Sequence, residues 1–217
     1  MNKEFKKKKY LVVKRVLSPD ILSFLQSYLS LKRKVAQSLF EKRYISPFES
    51  MFGRWDDKQI PNTYSHYGDI AMETLLAGLR ETVEKYTGLE LYPNYSYVRI
   101  YKKADMLHRH KDRFSCEIST TLHIGGDPWP ICIDPDENNG IVARESYQPG
   151  NAKGVQINLK PGDMLIYQGG LLEHWREPFQ GDNCYQVFLH YNNIKTSGSE
   201  ENKYDKRPHL GLPANID

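Results

Sequence analysis

The chain has 217 residues, 39% of them hydrophobic and 12% aromatic, which is enough for the core of one domain, 1–217. A formal net charge of +3 is too small to indicate nucleic acid or a membrane surface as a partner. No apolar run reaches the ~18 residues of a membrane span. The three cysteines, Cys116, Cys132 and Cys184, are an odd number without CxxC spacing, which fits a reducing, cytoplasmic location better than a disulfide framework or a zinc knuckle.

The N-terminal segment predicts a tail, a strand and a helix. Residues 1–9 are basic and are expected to form a solvated tail, since no signal-peptide segment follows them. YLVVKRVL at 10–17 is rich in β-branched residues and predicts a short strand. Ser18, Pro19 and Asp20 then provide an N-cap, a proline for the first turn and an acidic first turn, so a helix should begin here.

A loop and a second helix are predicted next. Residues 41–68 contain aromatic residues and prolines without periodicity and are interpreted as a structured loop. Asp69 is placed to cap the second helix, and Gly88 is placed to end it. The apolar stripe predicted to be buried on this helix consists of Met72, Leu75, Leu76, Leu79, Val83 and Tyr86.

From residue 91 onward, extended segments alternate with glycine- and proline-containing turns. Two helices followed by about seven strands indicate an α+β fold, an antiparallel sandwich or barrel with helices on one face. Residues 193–217 are polar and are expected to form an extended C-terminal tail. The predicted strands are Tyr95–Tyr101, Glu117–Ile124, Ile131–Asp134, Gly154–Leu159, Asp163–Tyr167, His174–Arg176 and Cys184–Tyr191.

The segment HRHKDR, 108–113, is either an exposed charged loop or the first half of a metal site. His110 and Asp112 are two residues apart, so on a strand both side chains leave the same face. HxD alone is unspecific, and a third ligand is needed. His174, which follows the turn and apolar strand PGDMLIY at 161–167, is the best candidate. Two imidazoles and one carboxylate on neighbouring strands form the facial triad typical of ferrous iron.

Three segments, in this order, resemble the prolyl-4-hydroxylase-like branch of the 2-oxoglutarate- and Fe(II)-dependent dioxygenase superfamily. From Tyr101, YKKADMLHRHKD has the spacing Y-x2-G-x2-(aromatic or apolar)-x2-H-x-D, with Ala104 in place of the glycine. PGDMLIYQGGLLEHWREP looks like the family's segment around the second histidine. VVKRVLSPDILSFL looks like its N-terminal strand and helix, so the resemblance spans roughly residues 10–191.

The resemblance implies a double-stranded β-helix (jelly-roll, cupin-like) core with the N-terminal helices packed on one sheet. It implies an oxidoreductase that uses Fe(II), dioxygen and 2-oxoglutarate as co-substrate, with ascorbate as an accessory reductant. Such an enzyme releases succinate and CO2 and hydroxylates a peptide or prolyl, amino-acid or other small-molecule substrate. By this resemblance His110, Asp112 and His174 ligate the iron and are the catalytic residues. His108 is expected at the mouth of the site or in solvent.

The distal carboxylate of 2-oxoglutarate needs a buried cation, because an unpaired buried carboxylate is too unfavourable. The family usually supplies Arg or Lys nine or ten residues after the second histidine, where this chain has Asn183 and Cys184. Arg176 is the predicted substitute, since it lies two residues beyond His174 and should face the same interior. A guanidinium can hold a carboxylate with two hydrogen bonds. The alternative is that Arg176 pairs with nearby Glu177 or Asp182 at the rim.

Two other side chains are candidates to contact the co-substrate. His123 falls where related enzymes often place a tyrosine that bonds this carboxylate, although a lone strand histidine is more often a core residue. Tyr101 is expected to bond the co-substrate or the substrate. Arg99, which shares the strand parity of Tyr101, is an alternative carboxylate-binding residue.

Two alternatives to the oxygenase stay open. One is a non-catalytic double-stranded β-helix that binds a metal or a small ligand, which the missing downstream arginine favours. The other is a cupin-like zinc or iron enzyme that does not use 2-oxoglutarate. In the oxygenase hypothesis a peptide or amino-acid substrate approaches past the 41–68 loop, whose aromatic and proline content is typical of a lid.

Overall fold

Two antiparallel β-sheets form the body of the protein, and helices pack on one face of the larger sheet. The computed structural model describes residues 2–46, 49–143 and 146–214. The helices are α1 (Lys3–Lys8), α2 (Pro19–Glu41) and α3 (Ile70–Thr87). The strands are β1 (Tyr10–Val13), β2 (Tyr64–Tyr67), β3 (Leu91–Lys102), β4 (Leu107–His110), β5 (Ile118–Gly126), β6 (Ile131–Ile133), β7 (Ile141–Ala143), β8 (Ser146–Gln148), β9 (Val155–Ile157), β10 (Met164–Tyr167), β11 (His174–Arg176) and β12 (Asn183–Asn193).

Strands that are neighbours in each sheet are mostly distant in the chain. Within the described residues the larger sheet has six strands in the order β1-β10-β5-β12-β3-β2, and the smaller has four in the order β4-β11-β6-β9. All of these pairs are antiparallel, and β7 and β8 form a separate two-stranded sheet. The chain therefore crosses repeatedly between two facing sheets, as in a jelly roll.

The predicted helix ends are confirmed. The Ser18 hydroxyl accepts the Ile21 N–H at 3.4 Å, and the Asp69 carboxylate accepts the Met72 N–H at 3.0 Å. Gly88 ends α3 in the left-handed conformation at φ 67°. The seven predicted strands are also present, with ends shifted by up to a few residues. Among the described residues, no helix has both the length and the apolar character needed to cross a bilayer.

Alternate residues of the central strands face two different cores. Val98 and Ile100 of β3 pack with apolar residues of α2 and α3, whereas Tyr101 belongs to a cluster between the two sheets. Ile166 of β10 likewise faces the helices, while Tyr167 packs with residues of β6 and β9. The two-residue period of a strand thus separates a helix-facing core from the interior of the sandwich, where a site can form.

The predicted loop 41–68 is partly wrong, because its last residues form β2. Tyr64 pairs with Ile100 of β3, and β2 is the edge strand of the larger sheet. The first residue of the loop, Glu41, is the last residue of α2. The rest of the loop carries no helix or strand where described, and residues 47–48 lie outside the described residues. Ala104, at the position where the resembled family has glycine, adopts the left-handed conformation at φ 70° that glycine takes more readily.

Both predicted terminal tails, 1–9 and 193–217, are wrong for the residues that the structure describes. Most of the first segment forms α1, whose Phe5 is 0% exposed in the core beneath α3. In the second segment Asn202 and Arg207 are only 3% and 6% exposed. The sequence does not predict α1, because one phenylalanine among lysines gives no periodic signal. It does not predict the packed C-terminal segment, because hydrogen bonds hold that segment in place. Residues 1 and 215–217 lie outside the described part.

A buried ion pair joins the C-terminal segment to α3. The guanidinium of Arg207 lies 2.7 Å from the Glu73 carboxylate of α3 and donates to the Asn94 carbonyl at 2.9 Å. Arg207→Ala is expected to lower the free energy of unfolding by about 3 kcal/mol, because it leaves Glu73 buried without its counter-ion. Urea unfolding measures this loss. The exposed neighbour Lys206 gives the control, since Lys206→Ala should change stability by less than about 0.5 kcal/mol. Equal midpoints for the two variants would contradict the expectation.

Candidate active site

Two histidines face each other across neighbouring strands of the smaller sheet. His110 ends β4, His174 begins β11, and the two are direct partners in the antiparallel register. Directly opposite residues project to the same face, and the ring centroids lie 4.2 Å apart. Asp112 follows β4, and its backbone N–H donates to the Gly169 carbonyl at 2.9 Å. The candidate ligand atoms of His110, Asp112 and His174 all lie within 4.8 Å of one another.

Backbone hydrogen bonds fix the orientation of both imidazoles. Nδ1 of His110 lies 2.8 Å from the His108 carbonyl, and Nδ1 of His174 lies 2.9 Å from the Leu172 carbonyl. A carbonyl only accepts, so each Nδ1 donates a proton, and in the neutral imidazole each Nε2 then keeps its lone pair. Both Nε2 atoms lie 3.5 Å from Oδ1 of Asp112. This is the tautomer and orientation of metal-binding histidines. The side chain of His108 itself is exposed, as expected.

The three side chains form a charged cluster that is open on one side. Burial raises the pKa of Asp112, but the two imidazoles more than offset it and hold that pKa well below its usual range. Burial lowers the pKa of His174, and the Asp112 carboxylate raises it overall. His174 is 2% exposed, whereas His110 and Asp112 keep 22% and 14%. A divalent cation entering from the open side would satisfy all three ligand atoms.

A second set of polar residues surrounds the carboxylate. The Ser119 hydroxyl donates to Oδ2 of Asp112 at 2.9 Å and lies 3.0 Å from Nδ1 of His190. Asp112, Cys116 and His190 also have candidate ligand atoms within 4.8 Å. The Cys116 thiol is 3.0 Å from the Tyr95 hydroxyl, and burial raises its pKa well above the usual range. Because metals bind the thiolate, this second set is the weaker candidate.

A cavity of about 220 Å³ opens at the two histidines and Asp112. It is smaller than the ~300–1,000 Å³ of pockets for drug-sized ligands, which suits small molecules or a single side chain. Tyr101 lines it, as predicted for a residue that touches co-substrate or substrate. Arg99 also lines it and pairs with Asp57 at 2.6 Å. Asp57 and Gln59 reach the cavity from the 41–68 loop, and sequence reasoning missed both, since this loop has no periodicity.

Arg176 is fully buried and has no acidic partner among the described residues. Its guanidinium donates to the Trp129 carbonyl and lies 3.5 Å from the Thr121 hydroxyl, and its Nε has no partner there. The alternative pairing with Glu177 is not seen, because the Glu177 carboxylate instead accepts the indole N–H of Trp175 at 2.9 Å. A buried guanidinium without a counter-ion is unfavourable, so we expect an anion to bind next to Arg176.

Tyr101 and His123, the other predicted co-substrate contacts, are both buried, and the positive charge of Arg176 acts on the pKa of each. The Tyr101 ring packs edge-on against Trp129 at 4.7 Å, and Arg176 lies 5.0 Å from the same indole. The Tyr101 hydroxyl is buried without a hydrogen-bond partner in the described residues. Nδ1 of His123 lies 2.9 Å from the Gln186 amide, away from the cavity wall. Burial, and then Arg176, lower the pKa of His123 to about 4, so it is a neutral imidazole.

No family model and no curated protein matches the sequence. Solved structures do match. HygX from Streptomyces hygroscopicus, solved with nickel, 2-oxoglutarate and hygromycin B, is 12% identical with a TM-score of 0.62, over 90% of this chain and 88% of that one. A Pseudomonas putida prolyl-4-hydroxylase is 15% identical with a TM-score of 0.58, over 88% of this chain and 95% of that one. EctD from S. alaskensis with bound Fe is 13% identical with a TM-score of 0.59, over 96% and 84%.

These matches show the fold alone, because sequence identities of 12–15% are too low to assign a function. They extend over both sheets and the helices, at 88–96% of this chain. Two facing antiparallel sheets with helices on one face are common to the topology described above and to the predicted fold class. The chain therefore has the α+β fold with a double-stranded β-helix core that these three solved structures share.

Proposed function

We propose that the protein is a non-haem Fe(II)- and 2-oxoglutarate-dependent oxygenase, with His110, Asp112 and His174 as the iron ligands. The observation that carries the proposal is the convergence of two Nε2 atoms and a carboxylate oxygen within 4.8 Å at the cavity. Three protein ligands leave positions for a co-substrate and dioxygen, whereas a structural zinc ion is closed by four. When bound, iron and 2-oxoglutarate would supply the oxidising chemistry, with release of succinate and CO2.

The buried charges support 2-oxoglutarate as the co-substrate. Arg176 is the buried cation without an acidic partner, and the hydroxyl of Tyr101, which packs on the same Trp129 indole, is a buried donor without an acceptor, within the described residues. A carboxylate would satisfy both. Arg99 is the weaker candidate for this carboxylate, because Asp57 already neutralises it. The chain's own residues thus bind the two ends of the co-substrate, through the metal ligands and through Arg176.

The class of reaction is tested with the purified protein under anaerobic conditions. Fe(II) and 2-oxoglutarate together are expected to give a weak visible charge-transfer band, and succinate should appear once oxygen is admitted. Zn(II) in place of Fe(II) should give neither. Iron binding without band or succinate would favour the non-catalytic metal-binding protein. Metal-dependent turnover that ignores 2-oxoglutarate would favour the cupin-like enzyme.

Arg176→Met tests the assignment of the distal carboxylate. Methionine keeps much of the apolar volume and removes the charge, so we expect 2-oxoglutarate affinity to fall roughly 10- to 100-fold, the effect of one charge-assisted interaction. Fe(II) affinity should stay within a few-fold, since Arg176 does not touch the metal ligands. Titration of the anaerobic band measures the first quantity, and metal analysis measures the second.

Arg54→Met provides the control, because Arg54 is half exposed and pairs with Asp56 outside the cavity wall. It should bind 2-oxoglutarate like the unaltered protein. If Arg176→Met keeps full 2-oxoglutarate affinity while Arg99→Met loses it, the carboxylate belongs to Arg99.

A further inference from the structure

An ion pair of opposite charges forms part of the cavity wall. Asp57, from the 41–68 loop, and Arg99, from β3, lie 2.6 Å apart, with side chains 17% and 6% exposed. Both line the cavity that holds the metal-binding cluster. A buried ion pair is often no more stabilising than well-packed apolar residues. Its place in the wall of a reaction chamber therefore points to recognition of a bound molecule.

Each member of the pair keeps unused hydrogen-bonding capacity. Oδ2 of Asp57 accepts from Arg99 and from the Tyr97 hydroxyl, while Oδ1 accepts the Gln59 N–H at 2.8 Å. An ionised carboxylate offers about four lone-pair positions, so Oδ1 can accept one more hydrogen. Nε of Arg99 is buried without a partner in the described part of the chain. The pair therefore keeps one free acceptor position on Asp57 and one unpaired donor on Arg99, and both residues belong to the cavity wall.

The charges around the cavity balance once iron and 2-oxoglutarate are bound. Asp112, Asp57 and Arg99 line the cavity, and the buried Arg176 is the proposed partner of 2-oxoglutarate. The two aspartates are negative, the two arginines are positive, and the charges of Fe(II) and the 2-oxoglutarate dianion cancel. Burial raises the pKa of Asp57, but Arg99 and hydrogen bonds lower it overall, so it is a carboxylate. A substrate with a net charge would leave an uncompensated charge in this chamber, which is unfavourable.

We propose that Asp57 and Arg99 recognise the substrate, and that the recognised end is a zwitterion such as a free α-amino acid. The substrate carboxylate accepts from Arg99, and its ammonium group donates to Asp57, so both unused positions are filled and the chamber stays neutral. This inference rests on the proposed function, because it names the substrate class of the same site. It gives the 41–68 loop a defined role, since that loop supplies the acidic half of the pair.

The probes are the twenty free L-amino acids, added to the full chain with Fe(II), 2-oxoglutarate and oxygen, with succinate formation as the readout. At least one free amino acid is expected to raise succinate formation above the substrate-free rate. For an amino acid with an uncharged side chain, the N-acetyl derivative carries a net negative charge and the C-terminal amide a net positive charge. Each derivative should have a KM at least about tenfold higher, the effect of losing one charge-assisted interaction.

Asp57→Asn tests whether the substrate is recognised by its charge or only by its shape. It leaves a net positive chamber, so the preference for the free amino acid over its N-acetyl derivative should fall at least about tenfold. The neighbouring Asp56 is 63% exposed and pairs with Arg54 outside the cavity wall, so Asp56→Asn should keep the original preference. The metal content and the anaerobic charge-transfer band of each variant show that Fe(II) and 2-oxoglutarate are bound in its site.

Three results would overturn the inference while leaving the proposed function in place. They are a loaded enzyme that forms succinate but responds to none of the twenty amino acids, equal KM values for the free and derivatised forms, and an unchanged preference in Asp57→Asn. If the unaltered protein gives neither band nor succinate, the proposed function fails and the inference falls with it.

Discussion

His174→Ala is expected to lower Fe(II) affinity by more than about 100-fold and to abolish succinate formation. Loss of a residue that merely supports a ligand weakens metal binding roughly 10- to 100-fold, so loss of a ligand should exceed that range. His174 is also the most buried member of the cluster, at 2% exposure, and solvent can replace its Nε2 only by entering the sandwich. Equilibrium titration with Fe(II) under anaerobic conditions measures the affinity.

The matched control is His108→Ala. The His108 side chain is exposed, and its carbonyl, which accepts from Nδ1 of His110, is retained by alanine. Iron affinity should therefore stay within a few-fold. Thermal unfolding of both metal-free variants separates loss of the site from loss of the fold. If His174→Ala binds iron normally, the ligand set is wrong. The set with Cys116 and His190 is then tested by Cys116→Ser.

The larger elements could be predicted because strand and helix periodicities are local. Two-residue alternation places Tyr101 in the sandwich interior and Ile100 beneath the helices, as the cores show. The same alternation predicts that Arg176 shares the face of His174, and both are buried in the structure. The ends of α2 and α3 could be predicted from their capping residues. These features depend only on neighbours within a few positions.

The remaining features depend on contacts between distant segments. Asp57 gives no local signal, and its place in the cavity wall follows from its bond to Arg99, 42 positions away. The C-terminal segment contains few apolar residues, so its polar composition resembles that of a tail. It is nevertheless packed, because Arg207 pairs with Glu73, 134 positions away. Contacts between residues so far apart in the chain leave no periodic pattern in the sequence.

The position of the Asp112 carboxylate depends on the lack of a side chain at Gly169. A Cβ atom built on Gly169 would overlap Oδ2 of Asp112 and lie 2.6 Å from both the Cys116 carbonyl oxygen and the Ser119 hydroxyl oxygen. Side chains in folded proteins do not approach this closely, so Gly169→Ala must displace the carboxylate or its support. Because the Gly169 carbonyl also accepts the Asp112 N–H, the backbone has little room to move away.

We therefore expect Gly169→Ala to weaken Fe(II) binding roughly 10- to 100-fold, although every metal ligand is still present. The next residue is the control: a Cβ on Gly170 would meet its nearest neighbour, the Asp112 carbonyl oxygen, at 3.7 Å, an ordinary contact. Gly170→Ala should thus bind iron like the unaltered protein. Anaerobic Fe(II) titration of both variants, with circular dichroism to confirm folding, measures the difference. Equal affinities in two folded variants would mean that the Asp112 carboxylate does not hold the metal from the position described, because a methyl group at position 169 meets that carboxylate and one at position 170 does not.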